Sequence, residues 1–417
     1  VPLPPTAGHV DSLVTSPTDP QAALACAGPQ SDPKTYETQD GPITFWRTRD
    51  GGQHWQPLPI PAITGTYCTA QVAAGAPQRL LLVVNGMGGC QATHPLLSTD
   101  GGQHWRVLAP PLPPLPAKMQ YCSLGASVSP HHLYAAVSVT VLVSVTTTRT
   151  SNSSGESITT QTTTWNTRSD DDGRTWTAPA NDLPPEATPL GSLSSMDGQT
   201  ITLAAGYAER ATSPTDVTFG TRFWRSRDAG ASWQPQGILP NFSAQWLLAP
   251  PGVTLESASV RMPVYAVSGT EIPWENLRLQ AAEIRGHTWA PLPPLPVGGA
   301  SAERTGITVA LGATPDGQLL VLGLGPHTTL PAGGSFEDLK KLAQGLWEWD
   351  PVAARWSAIT PALPVPWPAQ CATPCWQGEI SVGADPQGNG MYLWLASLGG
   401  FGDASPTLLR VRLPAEG

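Results

Sequence analysis

Residues 45–55 read FWRTRDGGQHW, and this stretch returns three more times along the chain. The further copies are LSTDGGQHW at 97–105, WNTRSDDDGRTW at 165–176 and FWRSRDAGASW at 223–233. Two weaker copies, EIRGHTW at 283–289 and WEWDPVAARW at 347–356, keep the tryptophan and either the glycine or the aspartate. Repetition of this kind indicates a fold assembled from similar supersecondary units.

Each full copy contains what a tight turn between two strands requires. The aspartate accepts hydrogen bonds from turn amides, the glycine adopts a positive φ without steric cost, and the tryptophan buries a large area between sheets. In the third copy the turn aspartate is either Asp170 or Asp172. The predicted structural set is Asp50, Gly52, Trp55, Asp100, Gly102, Trp105, Asp170, Gly173, Trp176, Asp228, Gly230 and Trp233.

The rest of the chain predicts an all-β fold. Short apolar segments are punctuated by 42 glycines and 46 prolines, as in sheets joined by tight turns. We expect residues 1–417 to form a single domain, a seven-bladed β-propeller of four-stranded antiparallel blades. The last unit, 376–413, lacks a fourth strand, and residues 1–5 (VPLPP) are predicted to supply it and close the ring.

The pattern Ser/Thr-x-Asp-x-Gly-x-x-Trp resembles the Asp-box, or bacterial neuraminidase repeat. This repeat occurs in sialidases, xyloglucanase-type glycoside hydrolases, sortilin-like receptor domains and photosystem assembly propellers. The resemblance implies a β-propeller in which the boxes are structural and lie opposite the ligand face. A sialidase would also carry an arginine triad, a Tyr–Glu pair and an Arg-Ile-Pro-like motif near its first blade. Residues 9–14 contain no arginine, and the similar tripeptide Arg261-Met262-Pro263 lies in the fifth unit.

Composition narrows the partners and the compartment. The net charge is −9 and there is no basic run, which argues against nucleic-acid binding. No stretch is long and apolar enough for a membrane helix, and residues 1–5 do not read as a signal peptide, so we expect a processed N-terminus. The 6 cysteines favour an oxidising compartment, hence a secreted or cell-surface protein. No cofactor is implied, and no cysteine or histidine spacing indicates a metal site.

Strand parity places a second set of residues on the face opposite the repeated turns. Its aromatic members either grip a sugar or peptide or pack between inner strands, and its acids either serve glycoside chemistry or are solvated loop residues. The ligand-face candidates are Asp11, Tyr67, Tyr121, Trp246, Glu303, Arg304, Trp376 and Glu379.

Two functions follow from this set. The first is a non-catalytic module that recognises a glycan or an extracellular protein through the loop-rich face. The alternative is an enzyme using rim carboxylates, either a glycoside hydrolase (sialidase-like or another exo-glycosidase) or a polysaccharide lyase.

Cysteine positions and one insertion complete the predictions. Cys26 and Cys90 end second strands, and Cys68 and Cys122 begin the first strands of the next units, so these points emerge on one face. The predicted disulfides are Cys26–Cys68, Cys90–Cys122 and, across a small local loop, Cys371–Cys375. Residues 141–164 are predicted to form an extended hairpin on the ligand face, and 335–345 a short helix.

Overall fold

The computed structural model of the protein shows a chain of antiparallel sheets. It describes residues 9–15, 19, 21–29, 39–73, 75–116, 119–150, 153–178, 188–210, 217–242, 244, 246–250, 252–269, 279–285, 288–293, 309–314, 316–324, 344–360, 377–384, 390–398 and 407–414. The only helical segment within these ranges is one 3-10 turn, Gly89–Ala92. The all-β prediction is confirmed.

The strands are grouped by hydrogen bonding and named in chain order. Sheet 1 contains β1 (His9–Thr15), β2 (Ala23–Gly28), β4 (Thr44–Thr48) and β5 (Gln56–Pro57), while β3 (Gly41–Pro42) pairs with β6 (Thr64–Gly65). Sheet 2 contains β7 (Tyr67–Ala73), β8 (Ala76–Asn85), β9 (His94–Ser98) and β10 (Arg106–Val107). Sheet 3 contains β11 (Met119–Val128), β12 (Leu133–Thr150) and β13 (Ser153–Ser169).

The remaining sheets follow the same order. Sheet 4 contains β14 (Thr188–Ser194), β15 (Ile201–Arg210), β16 (Val217–Ser226) and β17 (Gln234–Pro240). Sheet 5 contains β18 (Trp246–Leu248), β19 (Val264–Gly269), β20 (Leu279–Arg285) and β21 (Thr288–Pro291). Sheet 6 contains β22 (Val309–Ala313), β23 (Leu319–Leu324), β24 (Gln344–Asp350) and β25 (Arg355–Thr360), and sheet 7 contains β26 (Gln377–Ala384), β27 (Gly390–Leu398) and β28 (Thr407–Pro414).

The prediction of seven four-stranded blades is wrong. Among the described residues there are five blades of four strands, namely sheets 1, 2, 4, 5 and 6, whereas sheets 3 and 7 have three strands. In sheet 3, β12 and β13 extend past the end of β11 and form the long hairpin that was predicted for residues 141–164. Residues 1–5 lie outside the described residues, and the predicted helix at 335–345 does so except for its last two residues, which begin β24.

The inner strands of neighbouring sheets contact one another. β1 contacts both β7 and β26, β14 contacts β18, and β22 contacts β26. The sheets therefore surround a common axis as in a β-propeller, and the first and last sheets of the described chain meet.

Large apolar side chains fill the space between adjacent sheets. Trp105 of sheet 2 packs on Phe45 of sheet 1 with ring centroids 5.5 Å apart, and Trp233 of sheet 4 packs on Tyr134 of sheet 3 at 5.5 Å. Burying a side chain of this size contributes about 2–3 kcal/mol. Trp105 and Trp233, which end the second and fourth repeats, therefore each join their own sheet to the preceding one.

Strand direction defines two faces. Connections from the first to the second strand and from the third to the fourth strand of a sheet lie at one end, which we call the turn face because it carries the repeats. The amide of Ala229 in a repeat turn donates to the carbonyl of Gln199 in a first-to-second turn at 2.9 Å, as this parity requires. The second-to-third connections and the hairpin of β12 and β13 lie at the opposite end, which we call the loop face.

Candidate functional site

The repeated turns share one hydrogen-bond scheme. The Thr48 hydroxyl oxygen accepts the Gly52 amide at 2.8 Å, and Asp50 Oδ1 accepts the His54 amide at 2.9 Å. Gly52 has a φ of 85°, which a side chain disfavours. The same pair of bonds recurs at Ser98 with Asp100, at Ser169 with Asp171 and at Ser226 with Asp228.

The third repeat corrects the choice of aspartate. Asp171, not Asp170 or Asp172, occupies the position that accepts the turn amide, and it bonds the Ser169 hydroxyl at 2.9 Å. Asp170 instead bonds His132 Nδ1 at 2.7 Å. Asp172 adopts a φ of 61°, in the place where two other repeats carry glycine.

The turn aspartates remain ionised at neutral pH. The backbone amide of His54, followed by its ring nitrogen, donates to Asp50 and lowers the pKa of that carboxyl to about 2. The Thr175 hydroxyl and amide lower the pKa of Asp171 to about 2 in the same way. A carboxyl group with so low a pKa is a poor general acid, so these residues suit a structural role.

Arginines connect each repeat to the next sheet. Arg47, one residue before the turn hydroxyl of sheet 1, donates from Nη1 to the Gly101 carbonyl of sheet 2 at 3.0 Å. Arg168 holds the same position in sheet 3 and donates to the Asp228 carbonyl of sheet 4. The turn face is therefore held together by bonds between neighbouring turns.

Sheet 2 achieves the same link with a different residue. Its repeat has Leu97 where the other full copies have arginine, but Arg106 lies opposite Leu97 across the β9–β10 pair. Arg106 donates to the backbone carbonyl of Asp172 in sheet 3. The interaction is kept although the sequence position has moved.

Two disulfides connect sheets on the loop face. Cys26 in β2 bonds Cys68 in β7, with their Cα atoms 6.2 Å apart, and Cys90 bonds Cys122 in β11 at 5.2 Å. Both predicted pairs are confirmed, and they join sheet 1 to sheet 2 and sheet 2 to sheet 3. The predicted Cys371–Cys375 pair lies outside the described residues.

Asp11 lies beside the first disulfide and couples the same two sheets. Its Oδ2 accepts the Cys68 amide at 3.0 Å, and the neighbouring Ser12 hydroxyl accepts the Ala70 amide at 3.1 Å. A Cβ atom added at Gly28 would lie 2.5 Å from Asp11 Oδ2, so glycine leaves room for the carboxylate. These contacts give Asp11 a positioning role between β1 and β7.

The loop from 86 to 93 lies on the loop face and is held by several contacts. Asp40 Oδ1 accepts the Met87 amide at 3.1 Å, and the Gly86 amide donates to the Ala92 carbonyl at 3.0 Å. The Cys90 disulfide fixes the same loop to sheet 3. The Met87 side chain is nevertheless 72% exposed, on a backbone held at several points.

The predicted ligand-face residues are only partly brought together. Tyr67 begins β7 next to Cys68 and is 49% exposed, close in sequence to the Asp11 contact. Tyr121, Trp246 and Glu379 belong to β11, β18 and β26. Glu303, Arg304 and Trp376 lie outside the described residues.

Sequence reasoning missed Met87. The signal was the segment NGMGGC at 85–90, in which a large apolar residue stands among glycines beside a cysteine. Glycine-rich loops usually present polar groups or backbone, and an exposed thioether in such a loop is therefore informative.

Two features are absent from the described part of the chain. No group of three or more His, Cys, Asp or Glu side chains there is placed to hold a metal ion. No helix within it has the length and apolar character needed to cross a membrane.

Comparisons with known proteins give similarity in fold. No protein-family model and no curated protein matches the chain. Among solved structures, YCF48 bound to D1 peptide is 13% identical over 99% of this chain and 94% of that chain, with a TM-score of 0.47. An α-L-arabinofuranosidase, Arb93A from Fusarium graminearum, is 14% identical over 81% and 92%, with a TM-score of 0.42.

A third similar structure is the intramolecular trans-sialidase from Ruminococcus gnavus, which is 13% identical over 99% of this chain and 96% of that chain, with a TM-score of 0.39. These proteins have different activities. Similarity at this level concerns the β-propeller fold and does not transfer an activity to this chain.

Proposed function

We propose that residues 1–417 form a single extracellular Asp-box β-propeller that recognises a protein through its loop face and turns over no substrate. The repeat turns support the Asp-box assignment, because hydroxyl, aspartate and glycine act together in each full copy. The two disulfides support an oxidising compartment.

The observation that carries the proposal is the exposure of Met87 on a loop that is already rigid. Recognition costs less conformational entropy when the contact surface is held in place before binding. Hydrogen bonds to Asp40 and the Cys90–Cys122 disulfide provide that restraint. The flexible thioether itself adapts to an apolar partner surface.

The polar groups near this loop favour a protein over a glycan. Asp40 accepts the Met87 amide, and Asn85 Oδ1 accepts the Thr93 hydroxyl at 3.3 Å, so both side chains bond within the molecule. Met87 and Tyr67 are large side chains in this region that are 72% and 49% exposed. Apolar and aromatic side chains of this kind dominate protein–protein contacts.

Site-specific cross-linking tests the proposal. A photoreactive side chain is placed at position 87 on the loop face or, as the matched control, at position 196. Met196 is also a methionine, 51% exposed, but it lies in a first-to-second turn on the turn face. We expect one discrete protein adduct from position 87 with the cell-surface fraction of the producing organism, none from position 196, and loss of the adduct with Tyr67→Ser.

Equal labelling from both positions would contradict the proposal. So would turnover in a panel of chromogenic glycosides that is lost on substitution of loop-face carboxylates but kept in Asp50→Asn. Saturable binding on a glycan array that depends on Tyr67 but not on Met87 would replace the protein partner with a carbohydrate.

A further inference from the structure

Arg79 is the one charged residue that is buried among the residues whose solvent exposure the structure describes. Only 7% of the residue is exposed, and it lies in β8 just before the apolar run that packs against sheet 3. Burying a guanidinium group is costly unless hydrogen bonds and a counter-charge compensate for lost water.

Only one of the three side-chain nitrogens of Arg79 has an acceptor. Nη1 donates to the carboxylate of Asp172, whereas Nε and Nη2 have no acceptor. Arg47, Arg106 and Arg168 each have a single nitrogen, Nε, that is buried without an acceptor, whereas Arg79 has two. Nε and Nη2 together form the side-on edge of the guanidinium group, which binds one anion with two parallel N–H donors.

The surroundings contribute donors and positive charge. Arg106 donates to the Asp172 carbonyl while its own Nε is buried without an acceptor. The indole Nε1 of Trp176, which packs into the same interface between sheets 2 and 3, is likewise a buried donor without an acceptor. Asp172 accepts from both arginines, through its carboxylate from Arg79 and through its backbone carbonyl from Arg106.

We propose that the side-on edge of Arg79 binds a small monovalent anion, chloride or a carboxylate the size of formate, between sheets 2 and 3. Burial limits the size of the ligand, because a bulky anion could not reach an edge that is shielded from solvent. The unpaired donors determine its sign, since a cation would meet only N–H groups and positive charge. This inference is independent of the proposed function.

Thermal unfolding at constant ionic strength tests the site. Sodium gluconate, whose anion is too large for the site, is replaced stepwise by sodium chloride or sodium formate. We expect the midpoint of the wild-type protein to rise by about 3 °C as a ligand specific to the folded state saturates its site. Equal rises with chloride and formate indicate a general small-anion site. A rise with only one of the two salts identifies the anion that binds.

Two variants separate binding from general stability. Arg79→Met should abolish the anion-dependent rise, whereas Arg168→Met should lower the starting midpoint but keep the rise. Arg79→Lys retains the charge without the two-donor edge and should lose most of the response. If Arg79→Met does not fold, crystals of the wild type soaked in sodium bromide decide the matter.

Bromide should give an anomalous peak within hydrogen-bonding distance of Arg79 Nε and Nη2. The absence of an anion-specific rise in the wild type would overturn the proposal. It would also be overturned by a rise that persists in Arg79→Met, or by a bromide-soaked crystal with only water at this edge.

Discussion

The turn face and the loop face of this propeller are built in opposite ways. On the turn face the same hydroxyl, aspartate and glycine contacts recur in four sheets, and arginines join one turn to the next. On the loop face two disulfides at equivalent positions join sheet 1 to sheet 2 and sheet 2 to sheet 3, while Asp11 and the 86–93 loop add contacts of other kinds.

This difference separates scaffold from candidate function. A contact that recurs in four sheets meets a need common to those sheets, namely closure of the outer hairpin. The loop face carries side chains found once, including the exposed Met87 and Tyr67. A binding surface requires particular side chains that are held in place by a rigid scaffold.

Removing a loop-face disulfide should cause the largest loss of stability. The Cys90→Ser, Cys122→Ser double variant opens a covalent link between residues separated by 32 positions. We expect the free energy of unfolding to fall by about 3–4 kcal/mol, because the unfolded chain gains conformational freedom. Urea denaturation measures the loss, and hydrogen exchange should show faster opening at 86–93 than in the repeat turns. Unchanged exchange at 86–93 would mean that the hydrogen bonds alone hold the loop.

Removing one turn hydroxyl tests how much the repeated contacts of the turn face contribute to stability. Ser226 is 1% exposed, and its oxygen accepts the Gly230 amide at 2.7 Å. Ser226→Ala leaves that buried amide without an acceptor and should cost about 1–3 kcal/mol in chemical denaturation. Ser232→Ala, in the same turn but exposed, serves as the control and should change stability by less than about 0.5 kcal/mol. Equal effects would show that burial of the amide is unimportant.

Acid should weaken the turn face specifically. The pKa of Asp50 falls from 3.8 to about 2 on folding, so the unfolded chain binds more protons between these values. The stability contributed by the ionised carboxylate is therefore complete above about pH 4 and is lost as the pH falls toward 2. Melting temperatures across this range should drop less steeply in the Asp50→Asn, Asp171→Asn double variant. An identical slope would assign the acid sensitivity to other groups.

The smallest expected change in stability comes from the proposed contact residue. Met87→Ser removes an exposed side chain and should alter the free energy of unfolding by less than about 0.5 kcal/mol. Binding to the loop-face partner should nevertheless be lost, while Met196→Ser leaves it intact. A destabilisation above about 1 kcal/mol would show that Met87 packs within the fold.

Predictions from the sequence succeeded for contacts between residues that are close in the chain, and for contacts that strand direction places on the same face. The repeat turns join a hydroxyl, an aspartate and a glycine within five residues, so their contacts follow from spacing alone. The disulfides followed from strand parity, because successive strands alternate between the two faces. Asp170 and Asp172 were the wrong choices among the three aspartates at 170–172, although the spacing from Ser169 to Gly173 and Trp176 already places Asp171 in the turn.

Other features depended on contacts between distant segments. Sheet 3 has three strands among the described residues, which the repeat does not reveal, because its turn residues match those of the four-stranded sheets. Arg106 replaces the missing arginine at position 97 only because β10 lies across from β9. The exposure of Met87 depends on Asp40 and Cys122, neither of which is adjacent in sequence.

The amino-acid sequence by itself determined an all-β chain of repeated hairpins, the structural nature of the repeats and two of the disulfides. These properties rest on residue spacing and strand alternation, which act over a few positions. Only the tertiary structure decided how many strands each sheet holds, which arginine became buried and which side chain stayed exposed. Each of these depends on packing between sheets, where burial and hydrogen bonding are set by partners far away in the chain.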